Sequence, residues 1–192
     1  MKKLHLGCGG HIIPGWDNLD LRPKNGVIAC DLTKRLPYPD NSASYVFSEH
    51  FIEHLDEVDG FNLIKESYRV MAPGGVIRIA CPDLRQYVDA YLNWDPADLD
   101  GKKFSSGTNF LNFAILGEAR DKIKYLSAIG NSRDHGHRYY YDEPELAKKL
   151  IAAGFINPIR CQYHQSDTWE LQQLEKRLPM RDMILEATKK MV

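Results

Sequence analysis

The chain has no apolar run long enough to span a bilayer, so no membrane span is expected. Its four cysteines, Cys8, Cys30, Cys81 and Cys161, stand far apart without a C-x-x-C pair. That spacing excludes both a paired-thiolate zinc cluster and a disulfide frame, and points to reduced thiols in a cytoplasmic protein. Net charge is −1 with no long basic run, so bulk electrostatics give no reason to expect nucleic acid. No apolar h-region follows Met1-Lys2-Lys3, so no secretory leader is expected. Internal repeats, low-complexity tracts and a G-x-x-x-x-G-K-[ST] phosphate loop are also missing. What remains is an ordinary globular composition, 43% hydrophobic and 27% charged, with 192 residues for one domain over 1–192.

The apolar pattern alternates between strand and helix periods. Residues 3–6 read as a strand that runs into the turn Gly7-Cys8-Gly9-Gly10. Residues 16–21 read as the next strand, ending on Asp20. Only ten residues separate Gly9 from Asp20, too few for a full crossover helix. A third strand over 27–32 ends at Asp31, and a fourth covers 43–48. The stripe Phe61, Ile64, Tyr68 and Met71 predicts a helix over 58–71, stopped at Pro73-Gly74-Gly75. Further strands are expected at 76–81, 156–163 and 183–188, with helices after Asp83 and over 144–153. Residues 93–138 break the rhythm and read as an insertion over the edge of the sheet. The fold class is therefore α/β, a doubly wound and mostly parallel seven-stranded sheet with a lid insertion.

Open sheets of this kind bind ligands beyond the carboxyl ends of their strands. The glycine turn, Asp20, Asp31, residues 48–50 and Asp83 all fall at such ends. A dinucleotide loop would read G-x-G-x-x-G with an acid about twenty residues further on. Here Ile12 takes the third glycine's place and Asp20 arrives too early, so a different nucleoside ligand is indicated.

These segments resemble those of the class I S-adenosylmethionine-dependent methyltransferases, which have a Rossmann-like fold. The resemblance rests on Leu6-Gly7-Cys8-Gly9-Gly10, on Asp17-Asn18-Leu19-Asp20, on Cys30-Asp31-Leu32 with the Pro-rich loop after it, and on the Met71-Ala72-Pro73-Gly74-Gly75 turn. It is nearest to small members with a shortened first crossover, associated with cell-surface polysaccharide pathways. The resemblance implies a cytoplasmic enzyme that methylates an O or N nucleophile of a small molecule, a sugar or polysaccharide precursor among them. It implies S-adenosylmethionine as cofactor and S-adenosylhomocysteine as product. Gly7, Cys8 and Gly9 would floor the cofactor, and Asp20 with Leu21 would meet the ribose. Asp31 and Leu32 would face the adenine, while Ser48 and Glu49 would border the sulfonium end. The family often carries an acid where this chain has His5. That departure leaves open a cofactor-binding or scaffold domain without turnover. Oligomeric state is not indicated.

Two histidine clusters carry the candidate chemistry. His50, His135 and His137 are candidates for accepting the acceptor's proton, because an ordinary imidazole titrates near about 6.5. His50-Phe51-Ile52-Glu53-His54 also spells H-x-x-E-H, a zinc-hydrolase pattern that requires both imidazoles on one helix face. The position at a strand tip argues against the hydrolase, and local packing of Glu53 and His54 is the plainer alternative. No metal is assigned.

Overall fold

A computed structural model describes residues 1–92, 136–177 and 181–191. The expected insertion, apart from residues 136–138, lies outside them, as does His135. Strand β1 spans Lys2–Leu6, β2 Asp17–Asp20, β3 Val27–Ala29, β4 Ala43–Glu49, β5 Met71–Pro82, β6 Phe155–Arg160 and β7 Asp182–Lys189. They form one seven-stranded sheet in the order β3-β2-β1-β4-β5-β7-β6. The first five strands run parallel, and β7 lies antiparallel between β5 and β6. Helices α1 (Glu57–Val70), α2 (Leu84–Leu92) and α3 (Glu143–Ala153) are the α-helices among the described residues. No described helix is long and apolar enough to cross a membrane.

Local chemistry accounts for the boundaries. Helix α1 starts where the Asp56 carboxylate accepts the Asp59 N–H, and α3 where Asp142 accepts from Glu145 N–H. Strand β3 stops at Ala29, short of the expected 32, because Asp31 turns the chain. Its carboxylate accepts the Thr33 N–H at 3.0 Å and its carbonyl accepts the Lys34 N–H. Strand β5 starts earlier than expected. Met71 pairs with Ala43 straight after the helix, and the ladder resumes at Val76 beside Tyr45. Pro73-Gly74-Gly75 is thus a bulge within a strand rather than a spacer after a helix.

The two faces of the sheet are covered differently. On one, α1 and α3 lay Leu63, Ile64, Val70, Leu146 and Leu150 over Leu4, Leu6, Leu19, Val46, Ile77, Ile79 and Leu185. The other carries a smaller cluster of Ile13, Trp16, Phe47 and Leu171. Ile13 and Trp16 come from the abbreviated β1–β2 connection, and Leu171 from the segment between β6 and β7.

Irregular chain lying on a sheet brings backbone N–H and C=O groups that need partners. A row of residues in register across the sheet, Asn18, His5, Phe47, Arg78 and Glu186, meets that need. Asn18 Oδ1 accepts from Ile13 N–H at 2.9 Å, and its amide donates to the carbonyls of Ile13 and Trp16. His5 Nδ1 lies 3.1 Å from the same Oδ1. Arg78, fully buried, pairs with Glu175 and Glu186 and donates to the Gln165 carbonyl at 2.9 Å. Glu175 accepts the His164 N–H, and Glu186 accepts the Ser166 hydroxyl. The position where the resembled family often has an acid thus holds a buried imidazole bonded within this row.

Two predictions follow from the row. Arg78→Leu leaves Glu175 and Glu186 buried without their counter-charge, and should cost roughly 3–5 kcal/mol, read as a lowered urea midpoint. His5 is held at about 4 by burial, against the Asn18 hydrogen bond that works upward. The unfolded chain, with an ordinary histidine near about 6.5, takes a proton that the folded chain refuses. Stability is therefore complete above about pH 6.5 and falls as pH drops towards 4, by roughly 3 kcal/mol from this residue. Urea unfolding of wild type and His5→Gln across that window should give a flatter pH profile for the variant.

Candidate active site at the strand tips

Beyond Leu6 the backbone must turn at once. Gly7 sits at φ +70° directly under Phe51, where an added Cβ would lie 2.1 Å from the ring. The N–H groups of Gly7 and Cys8 both donate to the Leu19 carbonyl, at 2.9 and 3.0 Å. Gly9, at φ +52°, donates its N–H to Asp20 Oδ2 at 2.9 Å, and Arg22 donates to Oδ1 at 3.1 Å. Among the described residues, nothing beyond its own chain neighbours lies within 4 Å of where a Gly9 Cβ would stand. The turn is thus tied to the β2 tip on one side and open on the other. Cys8 is buried, and burial followed by the Asp20 charge pushes its thiol up to about 11, which rules out thiolate chemistry at neutral pH.

Gly7, Cys8, Gly9, Asp20, Leu21, Asp31, Leu32, Ser48 and Glu49 all follow or close the carboxyl ends of β1 to β4. Leu21 is exposed and Leu32 buried. Asp31 Oδ1 is engaged by the N–H and hydroxyl of Thr33, at 3.0 and 2.7 Å. The Ser48 hydroxyl donates to the Leu6 carbonyl at 3.2 Å, tying β4 to β1. The Glu49 carboxylate accepts from the N–H groups of Lys176 and Arg177 at 3.0 and 2.9 Å.

His50 adopts φ +49° and donates its backbone N–H to the Ala80 carbonyl. Its Nε2 lies 2.9 Å from Asp182 Oδ2 and its Nδ1 3.3 Å from Glu53 Oε1. Burial opposes charging this ring, but the hydrogen bond to Asp182 and the facing Glu53 carboxylate outweigh it and raise its pKa to about 9. With both ring nitrogens facing carboxylates, His50 in this geometry holds a proton instead of awaiting one. Asp182 reaches the site because β7 runs antiparallel and so starts at the edge where β5 ends. Sequence reasoning missed that partner, since 132 residues separate the pair.

The H-x-x-E-H stretch does not form the helix that the zinc-hydrolase pattern requires. Its second half is a single 3₁₀ turn, Ile52–His54, and His50 is turned away towards Asp182. Instead, His137 approaches from the strap before α3. The strap is held by the Glu53 carbonyl, which accepts the N–H groups of Arg138 and Tyr139 at 2.7 and 3.2 Å. Asp83 both caps α2, through the Arg85 N–H, and pairs with Arg160 Nη2 at 2.8 Å, closing this side of the sheet.

A sequence model of the methyltransferase-domain family matches residues 16–79, from the start of β2 into β5. The matched segment is a third of the chain, and over it the sequence is similar to methyltransferase domains. The seven-stranded sheet around it has the Rossmann-like fold of S-adenosylmethionine-dependent methyltransferases. This methyltransferase fold recurs in a methyltransferase from Archaeoglobus fulgidus, with a TM-score of 0.56 and 17% identity over 98% of this chain and 86% of that one. A Mesorhizobium loti methyltransferase gives 0.55 and 18% over 98% and 90%. The 1,6-didemethyltoxoflavin N1-methyltransferase of Burkholderia thailandensis, solved with bound 1,6-didemethyltoxoflavin and S-adenosylhomocysteine, gives 0.51 and 14% over 98% and 72%. No curated protein matches the sequence.

The two glycines of this turn should separate under substitution. Gly7→Ala combines positive φ with overlap on Phe51 and should lower stability by about 3 kcal/mol or more. Gly9→Ala carries only the backbone strain, about 1 kcal/mol. Urea unfolding of the two variants side by side checks the order.

Proposed function

We propose that this domain transfers a methyl group from S-adenosylmethionine to an oxygen or nitrogen nucleophile of a small molecule, a sugar or polysaccharide precursor being the acceptor class. The observation that carries the reading is the open glycine turn anchored on Asp20. The Gly9 N–H fixes one carboxylate oxygen, and each oxygen keeps a lone pair for a ribose hydroxyl. Gly7, Cys8 and Gly9 form the floor, and the open face at Gly9 admits a ligand where a side chain would stand in the way. Asp31 and Leu32 flank the adenine position, with the Leu32 N–H offered to a ring nitrogen. Ser48 and Glu49 border the methionine end.

The bound cofactor supplies an electrophilic methyl carbon on a sulfonium. The chain's part is to align the acceptor and exclude water, and alignment alone accounts for a large share of such acceleration. His50 is a positioning residue in this scheme. It braces β4 against β7 through Asp182 and fixes Glu53 on its other side. Among the described histidines proposed for catalysis, His137 is the one left to take the acceptor's proton. The Burkholderia neighbour, an N-methyltransferase solved with S-adenosylhomocysteine, supports both the cofactor and the small-molecule class.

Calorimetric titration with S-adenosylhomocysteine tests the reading. Wild type should bind in the micromolar range, and Asp20→Ala and Asp31→Ala should each weaken binding about tenfold or more. Absence of binding by folded wild type would overturn it.

A further inference from the structure

Glu53 is 1% exposed, and among the described residues neither oxygen of its carboxylate has a hydrogen-bond partner. A buried carboxylate left in that state is costly unless a cation completes it. The His50 imidazole stands 3.3 Å from Oε1 without hydrogen-bond alignment, and it is shared with Asp182. One imidazole brings at most one positive charge to two carboxylates. On the far side of Glu53 stand two further imidazoles, His54 and His137, with ring centroids 4.9 Å apart. One donor atom from each of Glu53, His54 and His137 lies within 4.8 Å of the others.

Both rings are oriented from behind. His54 Nδ1 faces the Gly136 carbonyl at 3.3 Å, an acceptor, so Nδ1 carries the proton and Nε2 the lone pair. His137 Nδ1 is 2.7 Å from the Tyr140 hydroxyl, and its Nε2 lies 3.9 Å from Glu53 Oε1. A hydrogen bond on one ring nitrogen fixes the ring's orientation and leaves the other nitrogen for a metal, as is usual for ligating histidines.

We propose that Glu53, His54 and His137 form a binding site for one divalent transition-metal ion, with zinc as its first occupant. Two imidazoles and one carboxylate suit zinc or ferrous iron and leave coordination positions open. At metal–ligand lengths of about 2.1 Å, tetrahedral donors stand about 3.4 Å apart. The present separations close to that by side-chain adjustment of about 1 Å. The ion pins the strap of residues 136–140 to the tip of β4. With coordination positions left open, the ion could lower an acceptor hydroxyl's proton affinity in place of His137. That last role rests on the methyl-transfer reading, whereas the binding of the ion does not.

Metal-stripped protein without a polyhistidine tag is titrated with Zn²⁺ against a chromophoric chelator, with no cofactor present. One ion per chain is expected, together with a zinc-dependent rise in Tm. His137→Ala, His54→Ala and Glu53→Gln should each weaken binding about tenfold or more and abolish the Tm rise. Should Glu53→Gln fail to fold, the partly exposed His137 and His54 variants decide the matter. Absence of stoichiometric zinc, or affinity unchanged in both histidine variants, would overturn the site. S-adenosylhomocysteine titration of the stripped protein runs in parallel, so failure of the metal site and failure of the cofactor reading give different results.

Discussion

The structure depends on how the sheet's less regular face is satisfied. A helix covering a sheet brings its own backbone bonds already paired, but loops do not. Here the β1–β2 connection and the segment between β6 and β7 lie on that face, and the sheet answers with a polar row in register. Asn18 binds the first loop, and Arg78 with Glu175 and Glu186 binds the second. The apolar Phe47 stands between them and packs the two loops' Trp16 and Leu171. The short first crossover and the buried charges are therefore two sides of one solution.

Much of this was legible in the residues. The α/β class with a mostly parallel sheet follows from alternation, and the tips of β1 to β4 were marked by Gly7, Asp20, Asp31 and Ser48. Arg78 is the one charged residue within the apolar stretch 76–81. The missing helix between β1 and β2 was readable from the ten residues available. Less visible was anything carried by contacts distant in sequence. Neither Asp182 nor Glu175 announces a partner, because each meets its cation across a strand pairing or a loop crossing. The reading of Pro73-Gly74-Gly75 as a plain stop failed for a related reason. Propensity marks where a helix ends, whereas the bulge is set by pairing with β4.

At the ligand edge, the same residues serve fold and chemistry together. Asp20 stabilises the glycine turn and presents a carboxylate. Ser48 ties β4 to β1 at the point where the cofactor's reactive end is proposed to lie. His50, Glu53 and Asp182 join β4, the 3₁₀ turn and β7. Substitutions here act on geometry and on chemistry at once, so stability and binding have to be measured as separate quantities.

The position of β7 has one further consequence. It is the last strand in sequence, yet it lies inside the sheet, between β5 and β6. Until residues 182–189 arrive, β5 and β6 have no neighbour on their shared side, and His50 lacks the aspartate that braces it. Among the described strands β6 pairs with β7 alone, so β7 both joins β6 to the sheet and brings Asp182 to His50. A chain without it leaves the β5 edge unpaired and open to wrong partners.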